Sequence, residues 1–158
     1  MSSRLFQSVR EEKGLAYDVS SYVVDYADAG AFVVSAGVDP DKIAPTVAAI
    51  LDELARVRDE TVPADELARS KRYLGGRLEL RMEETRNVAS WMGGQEALHD
   101  RVLTVEQALA ELEAVTSEGI HSLAQRLIND DGLRLAVVAP PRRGRRLESL
   151  LRLPGGVA

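Results

Sequence analysis

Ser2-Ser3-Arg4-Leu5-Phe6-Gln7-Ser8-Val9-Arg10-Glu11-Glu12-Lys13-Gly14-Leu15-Ala16-Tyr17 changes its hydrophobic period part-way along. Leu5, Phe6 and Val9 fall on one side of a short helix over Ser3 to Lys13, with Ser2 or Ser3 available to cap its free amides. Gly14 supplies the left-handed terminus that helices favour. From Leu15 to Tyr26 β-branched and aromatic residues take over with period-two alternation. Ala27-Asp28-Ala29-Gly30 then reads as a turn, and Ala31 to Val38 as a second strand. Two strands so joined predict an antiparallel hairpin.

Further along, Asp39-Pro40-Asp41 is a helix start, an N-cap acid followed by a proline whose missing N–H costs nothing there. Ile43, Val47, Ile50, Leu51, Leu54 and Val57 follow at amphipathic spacing. A second helix of about thirty residues is predicted from Pro63, with Asp65 and Glu66 at its positive end and Leu67, Leu74, Leu78, Met82, Ala89 and Met92 turned inward. Gly75-Gly76 either bends it or permits close contact with a neighbour, and Gly93-Gly94 marks its end or a kink. Thr104-Val105-Glu106-Gln107 fits a capping box. Thr116 opens another helix with Ile120, Leu123, Ala124, Leu127 and Ile128 in one stripe. Asn129-Asp130-Asp131-Gly132 turns the chain into a final predicted strand, Leu133 to Val138. Three strands are few for at least four helices, and they leave backbone edges without an obvious partner.

The composition narrows the chemistry. At 158 residues, 45% hydrophobic and 28% charged, the chain suits one globular domain. The absence of cysteine excludes thiolate zinc sites, iron–sulfur clusters and disulfides. The two histidines, His99 and His121, are 22 positions apart with no partner at the spacing a helical zinc site needs. The net charge of −5 disfavours polyanions in general. It is unevenly spread: residues 140–158 hold five arginines against one glutamate, which leaves −9 on residues 1–139. No stretch reaches the roughly twenty apolar residues of a membrane span, and the start lacks a signal peptide's apolar run. A cytoplasmic protein is expected.

The opening stretch resembles the second, zinc-free domain of the pitrilysin/insulinase zinc peptidases, the inverzincins, which include the mitochondrial processing peptidase and similar bacterial proteases. That family carries a Ser-Ser-Arg-Leu-Phe helix, then Val-Arg-Glu-Lys-x-Gly-Leu-Ala-Tyr and a strand. The similarity continues more weakly through Gly30-Ala31-Phe32, Asp39-Pro40, Glu66-Leu67-Ala68-Arg69-Ser70-Lys71 and Ala114-Val115-Thr116. It implies an α+β fold, an antiparallel sheet packed with helices mainly on one face. It also implies that residues 1–139 form a C-terminal, non-zinc domain lacking its first strand and helix, followed by a disordered basic tail at 140–158.

The resemblance further implies that Arg10 and Tyr17, seven positions apart, bind the peptide main chain near a zinc held by another domain or subunit. The spacing is compatible with this, because a turn at Gly14 can bring guanidinium and phenol to one edge. The bland alternative has Arg10 paired with Glu11 or Glu12 and Tyr17 an ordinary strand aromatic. The family's H-x-x-E-H motif is absent. No catalytic residue, metal ligand or cofactor is therefore assigned to this chain, and zinc is expected in the partner domain.

The leading expectation is a substrate-positioning domain of a zinc endopeptidase for unfolded peptides, inactive alone and homodimeric in isolation through its unpaired sheet edges. A catalytically inactive structural subunit with the same fold is the alternative. A weaker one is an adaptor whose Arg142-Arg143-Gly144-Arg145-Arg146 cluster binds nucleic acid. His99 and His121 read as surface or cap residues. Glu79, Glu83 and Glu84, with Arg77, Arg81 and Arg86, read as a solvated helix face, and Trp91 as core or interface.

Overall fold

The chain reverses direction at Gly14, where φ is +57°, between a helical segment and a strand. A computed structural model describes residues 3–99, 101–140 and 147–155. Its elements in chain order are a π-helical segment (Phe6–Glu12), β1 (Ala16–Asp25), β2 (Gly30–Val38), α1 (Ile43–Asp59), α2 (Ala64–Arg81), α3 (Thr85–His99), α4 (Val105–Ala114) and α5 (Ser117–Leu127). Short 3₁₀ turns occupy Pro40–Lys42, Asp130–Gly132 and Glu148–Leu150. The fold is α+β, and β1 and β2 form a two-stranded antiparallel sheet. The Tyr26 amide donates to the Ala29 carbonyl at 2.9 Å to close the hairpin.

The chain divides into two units, one of residues 1–23, 32–60 and 121–158, the other of residues 24–31 and 61–120. The core of the first unit is small and centred on Val9, which is fully buried with Ala16, Val19 and Ala49 around it. Leu5, Leu15, Val34, Ala36, Val38 and Ile50 pack against these four. Asp39 caps the entry to α1, its carboxylate accepting from the Asp41 amide at 2.9 Å. Along α1 the deepest positions are Ile43, Thr46, Ala49, Leu51, Glu53 and Ala55. Val47, Ile50, Leu54 and Val57 from the predicted stripe are only half-buried. Small side chains at 46, 49 and 55 let the helix approach its neighbours closely, and the larger residues flank that contact. The buried Glu53 carboxylate accepts from the Arg56 guanidinium at 3.2 Å.

Residues 147–155 of the expected basic tail pack in this unit. Leu147 and Leu153 are buried, the Leu153 amide donates to the Asp130 carboxylate at 2.8 Å, and Arg58 donates to the Pro154 carbonyl at 2.8 Å. The Arg142–Arg146 cluster lies outside the described residues. Arg58 also pairs with Asp59 at 2.6 Å. Its hydrogen bond holds the Asp59 carboxyl below the usual carboxylate range. That attraction is present above the range and is lost as the pH falls beneath it.

Leu133–Val138 is not strand. Its alternation is strand-like, but a strand also needs a second backbone to exchange hydrogen bonds with, and no ladder partner lies beside it among the described residues.

In the second unit the long predicted helix is two helices. The break falls at Met82–Glu84 and not at either glycine pair. Met82 donates to the carbonyls of Leu78 and Glu79 as the last turn tightens, and the Asn87 side chain donates to the Arg81 carbonyl at 3.0 Å. Gly75 permits close approach: a Cβ there would sit 3.4 Å from a Leu109 methyl of α4. Thr104 and Gln107 form the expected capping box, at 3.3 and 2.9 Å. Trp91 donates from its indole N–H to the Leu103 carbonyl at 3.2 Å. None of this unit's described residues is fully buried.

Leu153→Ala should lower the unfolding free energy by about 2–3 kcal/mol in a urea titration, with faster amide exchange over residues 147–155. An unchanged midpoint would show that this segment does not support α1.

Candidate functional site

The predicted pair, Arg10 and Tyr17, comes together in the first unit, on the outer side of the turn that joins the opening helix to β1. The Arg10 guanidinium carbon lies 5.9 Å from the centroid of the Tyr17 ring. Tyr17 is 87% exposed, so its phenol projects into solvent. Arg10 Nε lies 3.6 Å from the Glu11 carboxylate, and its side chain is 39% exposed. Neighbouring apolar residues fix both positions: Val9 is buried just before Arg10, and Ala16 just before Tyr17.

The winding of the opening helix contributes to this geometry. Ser3 caps its entry, the hydroxyl accepting from the Phe6 amide at 3.2 Å. Phe6–Glu12 is wound as a π-helix, a rare form that recurs at functional sites. At its end the Lys13 amide reaches the Ser8 carbonyl at 3.2 Å and the Leu15 amide reaches Val9 at 2.9 Å, closing the turn over Gly14. The start of α1 then clamps the turn. Lys42 donates from its amine to the Gly14 carbonyl at 2.8 Å, while Thr46 donates to the Lys42 carbonyl at 2.7 Å and contacts that of Leu15 at 3.5 Å.

Sequence reasoning did not single out Phe6. The Arg10 guanidinium carbon lies 4.8 Å from the Phe6 ring centroid, closer than it lies to Tyr17. The available signal was the i, i+4 spacing of an aromatic and an arginine at the end of a helix. The three side chains present two aromatic rings, a cation and a phenolic hydroxyl, a set suited to binding carbonyl or carboxylate oxygens.

The other candidate residues are dispersed. In the second unit His99 Nε2 lies 3.0 Å from the Asp25 carboxylate; in the first, His121 lies 3.4 Å from the Gln125 amide. Among the described residues, no three of His, Cys, Asp and Glu converge in a way that could hold a metal, so the donors present do not fit a zinc site. A shallow recess lined by Ala64, Lys71, Arg72 and Glu113 has its lysine engaged, with Nζ 2.5 Å from the Glu113 carbonyl. Among the described residues no helix is long and apolar enough to cross a membrane.

Comparison with known proteins agrees with the fold and with the sequence around the turn. Residues 1–74 match the family model described as "Peptidase M16 inactive domain". An uncharacterised zinc protease of Bacillus subtilis is 36% identical over 140 residues, covering 89% of this chain and 34% of that protein. Another, from Streptomyces coelicolor, is 35% identical over 142 residues, covering 89% and 30%. A chain of Candida albicans complex III2 superposes with a TM-score of 0.70 over 80% of this chain and 30% of that one, at 17% identity, which speaks to fold alone. A conserved protein of Enterococcus faecalis gives 0.66 over 78% and 29%, at 28% identity. The chain spans about a third of the length of the curated relatives it matches. The family resemblance read from residues 2–17 is thus borne out: residues 1–74 are similar to the M16 inactive domain, and most of the chain is similar to part of bacterial zinc proteases.

Gly14→Ala should cost about 1 kcal/mol, a purely conformational penalty, since no atom beyond its own chain neighbours lies within 4 Å of the added methyl. Gly14→Asn should recover part of it in the same denaturation experiment. A loss several times larger would mean that the turn is strained by more than its φ.

Proposed function

We propose that this chain is the substrate-positioning, non-catalytic domain of a zinc metalloendopeptidase acting on unfolded peptides. In this reading Arg10 and Tyr17 hold the peptide main chain while a separate zinc-bearing domain or subunit carries the hydrolytic chemistry. The observation that carries it is the convergence of guanidinium and exposed phenol at the Gly14 turn, inside the stretch that matches the M16 inactive domain. A guanidinium offers five N–H donors and a phenol one O–H, all suited to main-chain carbonyls. The same donors favour the negative charge that builds on a carbonyl oxygen under attack. Zinc would supply the activated water, and no residue described here is asked to ligate it.

The test is reconstitution. Alone, the 158-residue chain should neither bind stoichiometric zinc nor cleave peptides. Co-expressed with a zinc-bearing M16 domain it should support cleavage. Arg10→Ala should then lower kcat/KM about a hundredfold, and Tyr17→Phe about tenfold. Unchanged kinetics in both variants would overturn the substrate role and leave a structural subunit, while zinc and peptidase activity in the isolated chain would overturn the division of labour.

Self-association in isolation belongs to the same proposal. Tyr22, Val23, Tyr26 and Phe32 are exposed on the hairpin, and Val138 is fully exposed in the extended run near the end. Exposed apolar strand-like segments favour pairing with a second chain. Light scattering should give a mass of at least a dimer, and a monodisperse monomer would contradict it.

A further inference from the structure

We propose that Phe6 is a positioning residue for the site: its ring holds the Arg10 guanidinium by one face, so that the planar edge of N–H donors is presented to a bound peptide main chain. The inference rests on the substrate-holding role of Arg10 proposed above and names what prepares that side chain.

A guanidinium has two flat faces that stack on aromatic rings and an edge that donates hydrogen bonds. At 4.8 Å from the ring centroid, Phe6 lies well inside the range of a cation–π contact, whereas Tyr17 at 5.9 Å is at its limit. Phe6 is thus the principal holder, which leaves the exposed Tyr17 hydroxyl for the ligand. Phe6 carries no hydrogen-bonding group, so it acts on a ligand through Arg10. The Glu11 carboxylate lies 3.6 Å from Nε, at the inner part of the guanidinium edge. The backbone keeps the pair in register, because residues four apart lie on the same side of the helical segment, and Val9 anchors the segment between them. An arginine held in this way has less side-chain freedom to lose on binding than one free in solvent.

The decisive measurement is NMR of the full chain with labelled arginine. In the wild type the Arg10 δ-protons should be shifted upfield by the Phe6 ring current, and Nε–Hε should be as rigid as the backbone. Phe6→Leu should abolish the shift and loosen Nε–Hε, and Phe6→Tyr, which keeps a ring, should preserve both. Binding is read by titrating acetyl-(Ala-Gly-Ser)₄-amide, a main-chain probe without anchoring side chains. Its affinity should fall about threefold in Phe6→Leu, the size of one exposed cation–π contact, and return in Phe6→Tyr.

Arg10 signals identical in wild type and Phe6→Leu would overturn the proposal. So would an unshifted, mobile Arg10 in the wild type, a result that stands even if Phe6→Leu fails to fold. A rigid, shifted Arg10 in a wild type that does not bind the probe would instead overturn the peptide-holding role on which the ligand half of the proposal depends.

Discussion

The left-handed turn at Gly14 is the joint on which the first unit depends. It is the point where a wide helical segment gives way to a strand across three residues, with both Val9 and Ala16 placed in the same core. A β-carbon at that φ would crowd its own backbone, so the reversal favours glycine at this position. The joint is held from outside as well, because Lys42 binds the Gly14 carbonyl and Thr46 bridges the carbonyls of Lys42 and Leu15. The start of α1 is therefore part of the turn. Site geometry and core packing share these contacts, so the backbone that carries Arg10 and Tyr17 is anchored while their side chains reach solvent.

Features governed by chemistry within a few residues were legible in the sequence. The helix–glycine–strand sequence, the cap at Asp39 and the capping box at Thr104 each require only side chains and amides three or four positions apart. Features that depend on a distant neighbour were not. The alternation of Leu133–Val138 describes a side-chain pattern, whereas strand status depends on a second backbone. Of the large apolar stripe on α1, Ile43 and Leu51 are buried, but close approach places Thr46, Ala49 and Ala55 beside them in preference to Val47, Ile50, Leu54 and Val57. The break between α2 and α3 was looked for at glycines, but the helices run through both glycine pairs. The chain turns instead where Asn87 takes up the Arg81 carbonyl.

The site was half legible. Arg10 and Tyr17 came from family resemblance, and their spacing is physically sensible once Gly14 is known to turn. Phe6 was assigned to the apolar face of the helix and nothing more. An aromatic residue beside Leu5 and Val9 reads first as packing, and its i, i+4 spacing from Arg10 was the local sign of their contact. No local propensity signals the π-helical winding of that segment.

The second unit has a different economy of structure. Because none of its described residues is fully buried, no single side chain there carries a large share of the packing energy. Its cohesion is spread over many half-buried contacts together with a few polar ties such as Trp91 to Leu103 and Lys71 to Glu113. Such a unit tolerates substitution well at any one position and opens locally at low free energy. The helices α2 to α4 thus form a compliant region, able to adapt its surface at low energetic cost.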